Sequence, residues 1–432
     1  MGKSVPLAGG SLAWCRERFL AYYRDHPPGP PPDLAEREIA FAPFEASGMF
    51  RHLAYDGERS FQEGLRRAAP RHVYYSTAYY ERPDHSVMKE KGWLGADVIF
   101  DLDADHLADA ASLSYSEQLE RVKGKFRLLV DEYLLGDFGL DVKDLELVFS
   151  GGRGYHAHIR DPAYRGLSSA ARREMVDYLT GEGFDPLREA LGGEARPAPS
   201  STPTAPGGTA RRGAPSSRSF RRTNRLPPPE AAGWPGRFTR ALFGLTRQWE
   251  GLPERELRAW LLARKDPEGR PHLGPKSASA LAHELSDAST LEKIRQKLTL
   301  DVFPFPVPAG FLTLVAEEAS LQMRGEADAP VTTDIHRLIR LPGSLHGGTG
   351  FRVLTLDRDE VDDFSPWRDA LVPHDPGKGV PVRLETAVDY PFVPERLVGN
   401  AGEELTLPEP RALFLLLRGE ARVLSDPPTP GG

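Results

Sequence analysis

The chain has 432 residues, 40% of them hydrophobic, a formal net charge of −7 and a single cysteine, Cys15. The length allows two or three domains, the lone thiol excludes an internal disulfide and any site built from several thiolates, and no apolar run approaches the roughly 20 residues of a membrane helix. The start, Met1-Gly2-Lys3-Ser4, lacks the apolar core of a secretory signal, so a cytoplasmic protein is expected; the acidic sum is not that of a general nucleic-acid binder, although an average hides local basic surfaces.

Taken in chain order, residues 10 to 25 carry Leu12, Trp14, Phe19, Leu20, Tyr22 and Tyr23 at a spacing that suits an amphipathic helix, and Pro27 to Pro32 stop it. From Glu38 to Phe149 short apolar segments read as strands: Glu38-Ile39-Ala40-Phe41, His72-Val73-Tyr74-Tyr75 and Leu145-Glu146-Leu147-Val148-Phe149. Among them lies Val98-Ile99-Phe100-Asp101-Leu102-Asp103, followed by Ala104-Asp105-His106. Side chains at i and i+2 of a strand share a face, so Asp101 and Asp103 stand side by side while Leu102 faces the core. Two adjacent carboxylates repel unless a hard divalent cation, Mg²⁺ or Mn²⁺, neutralises them. The bland reading is a strand that ends in an acidic loop.

A helix is expected over 115 to 135, then Ser150-Gly151-Gly152-Arg153-Gly154-Tyr155-His156-Ala157-His158 as a glycine-rich turn entering a strand. Gly151 and its neighbours let backbone approach a phosphate, Ser150 offers a hydroxyl, and Arg153 offers a charged fork for phosphate oxygens. His156 and His158 share a strand face, and a zinc site on them is a rival that lacks a placed third ligand. Alone, such a segment is most simply a hairpin. Ser168 to Thr180 reads as helix. Residues 192–237 then shift to Pro, Gly, Ser, Thr and Arg, including Arg211, Arg212, Arg218, Arg221, Arg222 and Arg225. This stretch is expected to be a flexible insertion, either a passive linker or a phosphate-seeking arm.

Helical periodicity returns over 238 to 298, and strand-and-turn character is expected to resume after Asp301. There Asp334-Ile335-His336-Arg337-Leu338-Ile339-Arg340 leads to Ser344-Leu345-His346. Asp334 adds a third carboxylate, and Arg337, Arg340 and His346 suit the triphosphate of a nucleotide. The bland alternative is a salt-bridged strand and a hairpin. From Pro381 a Pro-rich tail is expected, with one amphipathic stretch over 411 to 422.

Read together, these segments resemble the archaeo-eukaryotic DNA primase family, most closely its archaeal catalytic small subunits. The ordered series is Arg37-Glu38 with Phe41, Arg51-His52, Tyr74 to Tyr80, Lys91 to Asp97 leading into Asp101 to His106, Ser150 to His156, and Asp334 to Gly350. The resemblance spans about 35 to 180 and 300 to 360. It implies an α/β (α+β) catalytic core over 1–165 and 300–380, a helical subdomain inserted over 166–299, and a tail over 381–432. It further implies Asp101, Asp103 and Asp334 as a catalytic metal triad for Mg²⁺ or Mn²⁺. Nucleotide contacts would come from Ser150, Gly151, Arg153, His156, Ser344 and His346, joined by Arg337 and Arg340. The implied activity is template-directed synthesis of short RNA and DNA primers on single-stranded DNA from ribo- and deoxyribonucleoside triphosphates. A primase large subunit is the implied partner, with no membrane.

Two departures stand out. Archaeal relatives commonly carry a Cys/His zinc module between the second and third segments, whereas this chain has no cysteine there, so no zinc is expected. Some members have a lysine shortly after the third-segment histidine, where this chain reads His346-Gly347-Gly348-Thr349, which shifts the triphosphate load to Arg153, Arg337 or Arg340. Competing readings are a primase-related end-joining repair polymerase, a phosphatase-like hydrolase with an Asp nucleophile, and a non-catalytic nucleic-acid-binding subunit. The hydrolase gives no role to the Ser150 turn or to Asp334, and a non-catalytic subunit would not need all three acids.

Overall fold

The alternation expected of the aspartate strand is present in the computed structural model, which describes residues 9–107, 110–181, 225–266, 269–321, 329–375 and 377–424. The chain divides into two compact units, Met1–Val176 with Gly325–Gly432, and Asp177–Arg324.

The first unit is built on two antiparallel four-stranded sheets. One has the order β2-β1-β3-β9, from β1 (Ile39–Ala42), β2 (Phe50–Leu53), β3 (His72–Ser76) and β9 (Leu338–Arg340); the other has the order β10-β7-β8-β6, from β6 (Val98–Asp103), β7 (Leu145–Phe149), β8 (Gly154–Ile159) and β10 (Leu354–Leu356). A ribbon of β4 (Ala78–Tyr80) and β5 (Trp93–Ala96) leads into β6. In β6, Val98, Ile99, Phe100 and Leu102 are buried, and Asp101 and Asp103 stay partly open. This is the period-2 pattern of a strand with one wet face at its end. The β6–β8 register sets Asp101 opposite His156 and Asp103 opposite Gly154. A Cβ at Gly154 would lie 2.5 Å from the Leu102 carbonyl oxygen, so only glycine lets the two strands close here.

The helix Tyr115–Leu128 begins on a capping box: Ser114 Oγ accepts from the Glu117 N–H (3.3 Å), and Glu117 Oε2 accepts from the Ser114 N–H (2.7 Å). It runs on as a π-helical stretch, Leu129–Asp137, where the sequence suggested one helix to 135. The two sheets are tied by a buried polar cluster. Arg37, just before β1, donates to the Ser76 and Thr77 carbonyls (2.9 and 2.6 Å) and pairs with Asp97 at 2.7 Å, both side chains fully buried. Asp97, just before β6, also accepts from Tyr79 Oη (2.8 Å) and from Arg160, which in turn donates to Tyr75 Oη on β3 (2.9 Å).

The stretch after 381, expected to be a tail, is an ordered part of this unit as far as 424. Strands β11 (Gly379–Leu384), β14 (Glu404–Pro408) and β15 (Ala421–Val423) form a sheet in the order β14-β11-β15 beside a hairpin of β12 (Val388–Tyr390) and β13 (Leu397–Gly399). The helix Glu409–Arg418 carries Phe414 into a nest with Tyr115, Phe351, Trp367, Tyr390 and Phe392, at ring-centroid distances of 4.9 to 5.8 Å from Phe414. Burial of these aromatics, each worth roughly 1.5–3 kcal/mol or more, stabilises a segment whose prolines suggest looseness.

In the second unit, helices Gly233–Trp249, Glu254–Ala263, Pro275–Leu285, Ala288–Lys297 and Ala309–Leu321 enclose a core that includes Trp249, Leu257, Leu281, Ile294 and Phe311. Two expectations shift. The helix Ala309–Leu321 falls where strand character was expected to resume, because Phe311, Leu312, Leu314, Val315 and Ala316 are all core positions. The Arg/Pro/Ser-rich stretch expected over 192–237 lies outside the described residues from 192 to 224, but its end is structured. Leu226 and Trp234 are buried, and helix Gly233–Trp249 starts within it. No helix among the described residues is long and apolar enough to cross a membrane.

The Arg37–Asp97–Arg160 cluster gives a stability prediction. Asp97→Ala leaves the fully buried Arg37 guanidinium without its carboxylate and takes from Arg160 one of its two, Glu146 remaining, which costs about 3–5 kcal/mol. The urea midpoint, followed by circular dichroism, should fall accordingly; a change below about 1 kcal/mol would show that the cluster does not hold the sheets together.

Candidate active site

The ends of β6, β8 and β9 and the loop before β9 open onto a cleft of about 700 Å³ in the first unit, lined by Asp101, Asp103, Asp105, His156, Asp334, His336, Arg337 and Arg340, with Met49, Arg51 and Tyr74 from β3 and the region of β2. Asp101 and Asp103 arrive by strand alternation. Asp103 also accepts from the Asp105 N–H (3.0 Å), which turns the chain sharply after β6. Asp334 reaches the same wall by a different route. The short helix Ala329–Thr333 packs on β6, and Thr332 Oγ1 donates to the Ile99 carbonyl at 2.7 Å, two residues before Asp101. The Asp334 carboxylate then accepts from the His336 N–H (2.9 Å), which fixes the loop. Carboxylates separated by more than two hundred residues of chain therefore share one cleft.

The donor set is oxygen only, which suits a hard divalent cation. No group of three or more His, Cys, Asp or Glu among the described residues is gathered as a ready-made metal cage.

The glycine-rich turn is closed by its own hydrogen bonds. Ser150 is buried, and its Oγ accepts from the Gly152 and Gly154 N–H groups (3.3 and 3.2 Å), closing the turn between β7 and β8. Gly151 takes a left-handed φ of +74°, and a Cβ there would meet His346 at 2.7 Å. The turn Ser344–Gly350 thus packs against the turn Ser150–Gly154: Thr349 Oγ1 donates to the Gly151 carbonyl (2.6 Å), and His346 Nδ1 lies 3.1 Å from Thr349 Oγ1. Ser344 is buried and donates to the Leu341 carbonyl (2.6 Å). Arg153 pairs with Asp105 and donates to Gln118 Oε1 (3.3 Å).

Of the residues singled out from sequence, Asp101, Asp103, Asp334, His156, Arg337 and Arg340 line the cleft; Ser150, Gly151, Arg153, Ser344 and His346 do not line it, and they build and brace its end. Sequence reasoning gave no role to Arg51, Tyr74, His336 and Asp105. Asp105 had a signal, its place in the acidic run after β6. Arg51 and Tyr74 had one too, their place in the segments that carry the family resemblance.

Comparison with known proteins gives a consistent result. The family model for the DNA primase small subunit matches residues 100–358. The chain is 38% identical over 419 residues to the DNA primase small subunit of Methanocella arvoryzae, an alignment covering 95% of this chain and 98% of that protein. It is likewise 38% identical over 419 residues to the small subunit of Methanothrix thermoacetophila (95% and 98%), and 36% identical over 415 residues to that of Haloarcula marismortui (95% and 97%).

His156, His72, His158 and His346 are held neutral by burial. Burial, reinforced by Arg340 and Arg337, pulls His156 down to about 3. Its Nε2 lies 3.3 Å from Asp101 Oδ1, so this contact belongs to a neutral ring and not to an ion pair, and its buried Nδ1 has no hydrogen-bond partner among the described residues. Burial also lowers His72, His158 and His346 well below the usual histidine value, with Arg340 the next cause for His72 and His346 and Arg160 for His158. The sign for stability follows. Between about pH 6.5 and 3 the unfolded chain takes up protons that the folded chain refuses, so the contribution of His156 is complete above pH 6.5 and is lost as the pH falls. We expect unfolding free energy to decline below pH 6.5, by up to about 1.4 kcal/mol per pH unit for each such histidine. His156→Gln should flatten the urea-derived profile between pH 6 and 4, and an unaltered slope would contradict the assignment.

Proposed function

Because the chain belongs to the DNA primase small subunit family, we propose that it is the catalytic subunit of a DNA primase, a nucleotidyltransferase that joins nucleoside triphosphates on single-stranded DNA into short RNA and DNA primers. The observation that carries this reading is the meeting of Asp101, Asp103 and Asp334 in one cleft with Arg337, Arg340 and His156. A pocket that combines hard anionic donors with permanent cations suits a metal–triphosphate substrate, whose charge needs both.

Asp101, Asp103 and Asp334 would hold Mg²⁺ or Mn²⁺, which when bound acidifies the attacking 3′-hydroxyl and neutralises the leaving pyrophosphate. The chain's own residues do the positioning. Arg337 and Arg340 offer guanidinium groups to triphosphate oxygens, and the buried Arg340 Nε has no partner among the described residues. His156, neutral at physiological pH, does not add charge beside Asp101. The two packed turns fix where β8 ends, and Asp105 restrains Arg153 at the margin of the cleft, from which a phosphate would recruit it by displacing that carboxylate. No protein nucleophile is required, since orientation and charge stabilisation carry phosphoryl-transfer catalysis.

The partners proposed with this activity are a primase large subunit, a single-stranded DNA template and nucleoside triphosphates. Asp103→Asn should lower incorporation on an unprimed single-stranded template at least about 100-fold, and Asp334→Asn similarly, with the fold preserved. Chelation should abolish incorporation, and added Mg²⁺ or Mn²⁺ should restore it. Wild-type incorporation by Asp103→Asn, assayed with ribo- and deoxyribonucleotides with and without a large subunit, would defeat the proposal.

A further inference from the structure

Across the floor of the cleft the sheet β2-β1-β3-β9 places a cation at each edge. Tyr74 on β3 is paired in register with Arg340 on β9 and with Ala40 on β1, and β2, which carries Arg51, lies beyond β1. Three strand spacings separate the outer strands, roughly 14 Å. Arg51, Tyr74 and Arg340 all line the cleft. One edge cation, Arg340 with Arg337 beside it, belongs to the proposed triphosphate end. The other has no role in that scheme.

Arg51 is not an ordinary surface arginine. Its Nε donates to Glu38 Oε1 at 2.9 Å, while its two terminal nitrogens make no hydrogen bond among the described residues, and its side chain is 37% exposed towards the cleft. Glu38 is fully buried, and its second oxygen lies 3.1 Å from the ammonium of Lys91, also fully buried. Lys91 is further held by the Pro83 carbonyl and lies over the Tyr80 ring. One buried carboxylate therefore faces two cations. The backbone is adapted to the same point. The His52 N–H also donates to Glu38 Oε1 (3.2 Å), and His52 takes a left-handed φ of +62°, costly for a residue with a Cβ.

We propose that Arg51 binds the phosphate of the nucleotide or primer end that carries the attacking 3′-hydroxyl, and that the buried Glu38–Lys91 pair is its positioning device. The proposal rests on the polymerase reading above. In-line displacement requires attacking and leaving groups to approach from opposite sides, so the strand being extended enters away from the triphosphate end. There it meets a held guanidinium together with the exposed Met49 and the half-buried Tyr74 ring, which offer apolar surface to a sugar and base.

The test uses the full chain and a labelled primer annealed to a longer DNA template. Arg51→Ala should raise KM for primed template about tenfold and leave KM for the incoming nucleotide within about twofold. It should also reduce the slope of log affinity for primed template against log salt by roughly 0.7 to 0.9, the loss of one phosphate contact. Arg340→Ala should show the reverse KM pattern. Arg51→Lys should keep the salt slope but raise template KM, because the Nε bond to Glu38 is lost. Glu38→Gln should reproduce the template effect and add nothing when combined with Arg51→Ala; if Glu38→Gln does not fold, the Arg51 variants decide. An Arg51→Ala enzyme with raised nucleotide KM and unchanged template KM, or with both KM values and the salt slope unchanged, would overturn the proposal. Asp103→Asn separates the two readings. Retained incorporation by that variant defeats the polymerase assignment, while the salt slope of Arg51→Ala still reports whether this arginine holds a phosphate.

Discussion

The architecture of the first unit hangs on a fully buried ion pair, Arg37 with Asp97. Each partner sits at the entry of a strand of a different sheet, and each would be prohibitively costly to bury alone. Arg37 is further committed to the Ser76 and Thr77 carbonyls, and Asp97 to Tyr79 and Arg160, so neither can relax towards another partner without leaving several groups unsatisfied. The pair fixes where β6 starts relative to β3, and therefore where Asp101 and Asp103 emerge relative to Tyr74 and Arg340. The cleft is the gap that this constraint leaves between the two sheets.

Within the gap the electrostatics are built by opposition. Asp101, Asp103, Asp105 and Asp334 share the lining with Arg51, Arg337 and Arg340. His156 adds no charge there, since burial keeps it neutral. Acidic and basic side chains thus line one cleft together, the combination on which the proposed metal–triphosphate reading rests.

The parts legible in sequence are those set by local period. Asp101-Leu102-Asp103 reads correctly because strand alternation is a two-residue rule, and the helix expected from 115 begins there, on the cap that Ser114 and Glu117 form. The arrival of Asp334 depends on Thr332 bonding to the Ile99 carbonyl, a contact across more than two hundred residues that no local pattern encodes. Ser150, Ser344 and His346 have the chemistry of ligand contacts, yet their hydrogen bonds are spent on turn geometry. Glu38 and Lys91 stand in segments that carry the resemblance, but their pairing joins residues far apart in sequence, and only the fold shows both fully buried. The segment after 381 was obscured by its prolines, since Tyr390, Phe392 and Phe414 follow no period and meet only when packed against Trp367.

The central claim is that Asp101, Asp103 and Asp334 together hold the divalent cations of a nucleotide-joining reaction. Its most direct test is anomalous diffraction from crystals of the chain grown with Mn²⁺ and a non-hydrolysable nucleoside triphosphate. The account predicts manganese peaks within bonding distance of all three carboxylates, with triphosphate oxygens completing the coordination. Manganese bound elsewhere, or held by Asp101 and Asp103 with the Asp334 carboxylate turned away from metal and nucleotide alike, would contradict it.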